Sequence, residues 1–231
     1  MPRPVQLAEK PPRYSLAVQS VELLADEVYR VRLDPHPCAW TPGDCVTLHA
    51  PGADAGRPYS FSGPPDAAYC EFWIRRFAGG RVSHYLTGLP PGKQVEVSPP
   101  FGWFRPLEPV DSPKIYLATG TGIAPFLSAL SCRPEHVQKL LWGMRRDLTV
   151  PEIFSGVEMV RCISRERVAG THPGRMTDLI SQLDLSAEPH LFLCGLDDMI
   201  EEVTGLIRAR GVPAEHLHTE CFFTADSSSA S

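Results

Sequence analysis

The 231-residue sequence lacks most of the features that would tie it to a membrane, a metal or a nucleic acid. No stretch approaches about 18 uninterrupted apolar residues, the length a membrane-spanning helix needs. The opening MPRPVQLAEKPPRY has no apolar core of the signal-peptide kind, so neither secretion nor membrane insertion is expected. Cys38, Cys45, Cys70, Cys132, Cys162, Cys194 and Cys221 are odd in number and contain no CxxC or CxxxxC spacing. This excludes a zinc finger and a built-in plant-type iron–sulfur cluster, which need closely spaced thiolates. It predicts reduced thiols and a cytoplasmic setting. With 22 basic and 27 acidic residues the net charge is −5, so the molecule as a whole has no field suited to nucleic acid.

The chain is instead rich in turn formers, with 24 Pro and 18 Gly, which argues against a helical bundle. Its length favours two domains of ordinary size. Between Tyr14 and about Ser98 short alternating segments dominate, among them Val28–Leu33, Cys45–Ala50, Cys70–Phe77 and Gln94–Ser98, separated by TPGD, SGPPD and PPGK. They predict an antiparallel β-barrel or sandwich, with one helix at Val82–Thr87 beside Gly79 and Gly80. After the Pro-rich stretch Pro99–Pro113 the rhythm becomes strand, helix, strand. Lys114–Ala118, Val137–Trp142, Met159–Ser164, His190–Cys194 and Leu217–Phe222 are the strand candidates; Ile123–Leu130, Met176–Leu183 and Asp197–Arg210 have helical periodicity. A parallel α/β sheet follows. The boundary falls near 105–112, giving domains 1–108 and 109–223 and a polar, flexible tail 224–231. No internal repeat is visible.

Several segments carry chemistry. KIYLA runs into TGTGIAP and then a helix, so amides freed by Gly120 and Gly122 stand at a helix N-terminus and form an anion cradle. Taken alone that loop is evenly balanced against an ordinary tight turn, because Pro125 occupies the third glycine position of GxGxxG. Arg57-Pro58-Tyr59-Ser60 offers a guanidinium for a diphosphate, a ring that can stack and a hydroxyl donor. By local chemistry alone it is equally a plain strand.

Taken together and in order, RPYS, GGRVS, TGTGIAPF, SRER, CG and HTECFF resemble the ferredoxin–NADP⁺ reductase superfamily. Members join an FAD-binding antiparallel β-barrel to an α/β parallel-sheet domain that binds NADP(H). The resemblance implies that Arg57 contacts the flavin diphosphate, that Pro58 and Tyr59 lie along the isoalloxazine ring and that Ser60 approaches its N5. Gly80, Val82 and Ser83 would bind the diphosphate at a short helix, and Arg75 in FWIRRF would lie near the cofactor, with Arg76 toward the acceptor. Thr119, Gly120, Thr121 and Gly122 would face the nucleotide, and Pro125 is normal for the superfamily. Ser164 and Arg165, with Arg145 and Arg175, would hold the 2′-phosphate of NADPH; three convergent cations would be costly without an anion. Cys194 and Gly195 match the strand end beside the nicotinamide, while Asp197 or Asp198 caps the next helix. Glu220 matches the acidic position of the last strand, and Phe222 or Phe223 would shield the flavin.

The resemblance thus implies hydride transfer between NADP(H) and FAD, with Ser60, Cys194 and Glu220 lining the site. Single electrons would then pass between FAD and a separate ferredoxin or flavodoxin. Two alternatives share these motifs: an NAD(P)H-dependent reductase component of an oxygenase, and a flavin subunit of a larger electron-transfer complex. A non-catalytic flavin sensor is a third. No metal site is expected.

Overall fold

A computed structural model of the chain describes residues 12–51, 56–148 and 156–223; the expected tail 224–231 lies outside them. The first half forms β1 (Tyr14–Ala25), β2 (Val28–Leu33), β3 (Cys45–His49), β4 (Arg57–Ser60), β5 (Cys70–Arg75) and β6 (Gln94–Val97), with helix α1 (Arg81–Thr87) between the last two strands. Their order is β4-β3-β6-β1-β2-β5, with antiparallel pairing. The twelve-residue β1 does double duty: Tyr14 to Ala17 pair with β6, whereas Val18 to Ala25 pair with β2. A strand shared in this way curls the sheet into a barrel-like wrap. Its length was not legible from an alternating pattern, since only Leu16 and Val18 are buried along it. Asp26 (φ 47°) and Glu27 (φ 60°) make the tight turn between β1 and β2, the geometry whose twist matches the flanking strands.

Inside the wrap, Val31, Leu33, Val46, Leu48, Phe72, Ile74, Val95 and Val97 are the inward members of alternating strands, and Trp40 stacks on Phe61 at 3.9 Å. Helix α1 closes one end with Val82 and Leu86.

The second half forms a fully parallel sheet of β7 (Lys114–Thr119), β8 (Val137–Met144), β9 (Glu158–Ile163), the two-residue β10 (His172–Pro173), β11 (His190–Leu196) and β12 (Leu217–Phe223), with helices α2 (Ala124–Cys132) and α3 (Asp197–Arg208). The order is β10-β9-β8-β7-β11-β12. Along β7 the side chains alternate between two cores: Tyr116 and Ala118 face α2 and the barrel, Ile115 and Leu117 face α3. The predicted helix over 176–183 is a 3-10 helix over Met176–Gln182. It closes through i to i+3 bonds such as Leu183 N–H to Ile180 O. Short connecting helices often take this tighter form.

The two sheets share a core. Val28, Trp73 and Phe104 from the first half pack with Tyr116, Phe126, Trp142 and Phe192 of the second, and the Trp73 and Trp142 rings lie 5.9 Å apart. The connecting segment is tied down by Tyr116 Oη, which donates to Pro106 O at 2.7 Å, and by Lys114, only 1 % exposed, whose ammonium donates to Ser112 O at 2.8 Å. Trp142 Nε1 also donates to Gly120 O at 2.9 Å. Replacing Trp142 with Ala is expected to lower stability by about 3–5 kcal/mol, read from guanidinium unfolding curves; a loss below about 1 kcal/mol would contradict this packing.

Candidate functional site at the sheet's switch point

The chain leaves β7 toward β8, β9 and β10, then returns to place β11 on the opposite side of β7. The crevice outside the carboxyl ends of β7 and β11 is therefore the point where strand order reverses, the usual place for a ligand in such sheets. Two loops meet there. After Thr119 the chain makes a single 3-10 turn, Gly120–Ile123, and enters α2. Thr119 Oγ1 accepts a hydrogen bond from Leu196 N–H at 3.0 Å, joining the end of β7 to that of β11. A Cβ on Gly122 would stand 2.3 Å from Cys194 O, and one on Gly195 (φ 143°) would stand 2.1 Å from Thr119 Oγ1. Both glycines are required by close approach. Gly120 differs: its φ is 53° and nothing lies within 4 Å of its Cβ position, so its outer side is open to a ligand. Thr121 and Gly122 are buried beneath it.

On the barrel side, β4 presents Arg57 and Pro58 to solvent, half-buries Tyr59 and buries Ser60. Burial pushes the Tyr59 phenol up to about 12. The Arg57 guanidinium has no carboxylate partner among the described residues; its one hydrogen bond reaches the neighbouring Gly56 O at 3.4 Å. Gly56 is needed because a Cβ would meet Thr47 Cγ2 at 2.4 Å. The start of α1 has neither a side-chain cap nor an acidic residue in its first turn. Ser83 Oγ donates to Gly80 O at 3.0 Å, and Val82 and Ser83 are buried. An unpaired guanidinium and an uncapped helix start suit a diphosphate.

The halves meet around Glu220. It lies opposite Cys194 in the β11–β12 register, and Ser60 lies opposite Cys45 in the β3–β4 register. Burial raises the Cys45 thiol to about 12, and the Glu220 carboxylate adds to that rise. Burial, again with Glu220, pushes Cys194 well above the thiol range. One carboxylate thus adds to the rise of a thiol in each sheet, Cys45 in the barrel and Cys194 in the parallel sheet. A groove of about 500 Å³ leads away from Glu220 between β12 and the connecting segment, lined by Trp103, Phe104, Arg105, His218 and Thr219. Trp103, 97 % exposed, forms its rim. Cys45 and Trp103 were not singled out in the sequence; the only signal was the apolar PPFGWF run at the end of the first domain.

The remaining predicted residues divide. Arg145, Ser164 and Arg165 are exposed beyond the ends of β8 and β9, and neither guanidinium has an ion-pair partner among the described residues. Arg175 is elsewhere engaged, with Glu202 at 2.7 Å. Arg75 binds Asp26 at 3.2 Å in the hairpin turn between β1 and β2, and Arg76 donates to Thr87 Oγ1 at 2.8 Å while lying over the Tyr29 ring. Neither arginine is left free to reach a ligand. Phe222 packs against the shared core; the Phe223 side chain lies outside the described part.

Residues 16–105 match the family model of the oxidoreductase FAD-binding domain. The chain is 30 % identical to the toluate 1,2-dioxygenase electron transfer component of Pseudomonas putida, over 90 % of this chain and 67 % of that protein. It is also 30 % identical to ferredoxin–NADP reductase B of Sorangium cellulosum, over 76 % of this chain and 81 % of the relative. The chain belongs to the ferredoxin–NADP reductase family. It is accordingly an oxidoreductase with FAD as its cofactor. The cytochrome P450 reductase of Amycolatopsis superposes with a TM-score of 0.80 at 27 % identity, covering 94 % of this chain and 73 % of that one. The chain spans about two thirds of the length of the dioxygenase components it matches.

Two outcomes test this site. Gly122→Ala should leave flavin bound, because the barrel is untouched, yet slow flavin reduction by nicotinamide nucleotide at least tenfold, about the cost of displacing the loop by an ångström; unchanged stopped-flow rates would contradict the interlock. Burial raises the Glu220 pKa, so this carboxyl favours the folded state when protonated. That contribution is present below the ordinary carboxylate pKa and is lost as pH rises through the raised one. Glu220→Gln should therefore match the parent in stability at acid pH and exceed it above that window, as thermal melts across pH would report.

Proposed function

We propose that the protein transfers a hydride between NADP(H) and FAD and passes single electrons between FAD and a ferredoxin or flavodoxin. Residues 1–108 would hold the flavin and 109–223 the nucleotide. The observation that supports this reading is the open turn at Gly120, at the switch point of the parallel sheet whose core is shared with the FAD-binding half. Bound FAD accepts two electrons as hydride and releases them singly. The chain supplies the rest. Arg57 and the uncapped start of α1 would hold the diphosphate, with Tyr59 and Ser60 as the residues that would meet the flavin ring. The loop at Gly120 admits the nucleotide, and the shared core under Trp73 and Trp142 keeps water from the crevice floor. Glu220, whose carboxyl burial raises above its ordinary range, is a candidate to give or take the proton that accompanies electron transfer.

NADPH is favoured over NADH because Arg145 and Arg165 stand unpaired at adjacent strand ends with Ser164 between them, an arrangement suited to a dianionic phosphate. Arg175, neutralised by Glu202, becomes available only if that pair opens. No helix among the described residues is long and apolar enough to cross a membrane. Seven free thiols fit a reducing compartment, and the cytoplasm is the proposed location. The second reading, a reductase component of an oxygenase, is favoured by the likeness to the dioxygenase electron transfer component.

Purified protein should show the yellow spectrum of FAD, and its absence would remove the assignment. Arg165→Ala should raise KM for NADPH about 10- to 100-fold, the worth of a charge-assisted hydrogen bond, and leave NADH little changed; equal losses for both would defeat the arginine argument. Cytochrome-coupled assays with ferredoxin, flavodoxin and an oxygenase component then separate the two readings.

A further inference from the structure

We propose that Glu166 is a positioning residue for the 2′-phosphate pocket, its carboxylate holding the 145–147 turn against the 164–166 turn and thereby setting the spacing of the Arg145 and Arg165 guanidiniums. The inference rests on the NADPH reading above.

Strands β8 and β9 pair in parallel as far as Met144 and Ile163. Past their ends the chains stay zipped: Ser164 N–H donates to Met144 O at 3.0 Å, and Arg165 N–H donates to Arg145 O at 3.0 Å. At the next step a carboxylate takes over, with Asp147 N–H donating to Glu166 Oε1. The side chain of Glu166 therefore continues a ladder that the backbone has left. A charged acceptor on a main-chain amide is a stronger tie than a carbonyl.

The surrounding charges are already committed. Glu166 Oε2 lies 4.0 Å from Arg146, and Arg146 in turn lies 3.9 Å from Asp26 in the barrel hairpin. Asp147 Oδ1 accepts from Arg161 at 2.6 Å. Arg145 and Arg165, joined through their backbones, are left exposed without a carboxylate among the described residues; Arg167 is exposed further along the turn. The acidic side chain in SRER is thus engaged by the Asp147 amide and Arg146, where it braces the two free cations.

Charge and position predict opposite signs. As a nearby negative charge, Glu166 weakens phosphate binding, and its removal would tighten it. As a brace it strengthens binding, and its removal loosens the arginine pair. Calorimetric titration of the FAD-loaded protein with 2′-phospho-AMP and with 5′-AMP separates the two. Glu166→Ala is expected to weaken 2′-phospho-AMP about tenfold, the worth of one such hydrogen bond, with 5′-AMP affinity as in the parent. Glu166→Gln, which keeps the acceptor and drops the charge, should bind 2′-phospho-AMP at least as tightly as the parent. The KM ratio of NADPH to NADH should follow the same order. Parent-like or tighter binding by Glu166→Ala overturns the brace, as does a Glu166→Gln variant as weak as Glu166→Ala. If the parent itself fails to distinguish 2′-phospho-AMP from 5′-AMP and Arg165→Ala alters neither, the NADPH reading falls and this inference with it. That pattern differs from a discriminating parent whose Glu166 variants are silent.

Discussion

The Trp73 and Trp142 rings, one on the last strand pair of the barrel and one in the middle of the parallel sheet, belong to a single core, and the relative placement of the two halves depends on it. Hydride transfer between two planar rings requires their separation to be held within about half an ångström. A shared apolar core resists changes of that size because side chains packed at crystal density have discrete arrangements. Around it, the Asp26 hairpin turn is tied to Arg75 at 3.2 Å and faces Arg146 at 3.9 Å, so that polar contacts edge the apolar contact. Arg75 is engaged at this junction by Asp26.

Above the core, the switch point is built from backbone. Gly122 and Gly195 let the ends of β7 and β11 approach until Cys194 O and Thr119 Oγ1 occupy the space where β-carbons would be. The result is a tight floor with one open position, above Gly120. Glu220 stands at its edge and raises the thiols of Cys45 and Cys194 together with burial. Thiols held protonated in this way act as small apolar wall residues and not as nucleophiles.

What pattern reading recovered and what it missed follow from distance along the chain. RPYS, TGTGIAP and LFLCG are strand ends with their turns, and the residues that shape each turn are neighbours in sequence. The antiparallel and parallel halves were legible for the same reason, since period-two alternation and βα rhythm are local. The 3-10 form of Met176–Gln182 was not, because helical spacing over seven residues does not separate i+3 from i+4 closure. The ion pairs of Arg75 with Asp26 and of Arg175 with Glu202 were not legible, because the partners lie far apart in sequence and meet only in space. That Glu220 on β12 influences the Cys45 thiol of the barrel is likewise a matter of the fold alone.

The sequence by itself determined the two architectures, their order, the anion-binding turns and the residue types available for flavin and nucleotide, because backbone conformation and hydrogen-bonding capacity are set by nearest neighbours. The tertiary structure alone decided which charges remain unpaired and which atoms share the crevice. An arginine left free and an arginine neutralised look the same in a sequence; they differ only through a carboxylate placed within a few ångströms by the packing of distant segments.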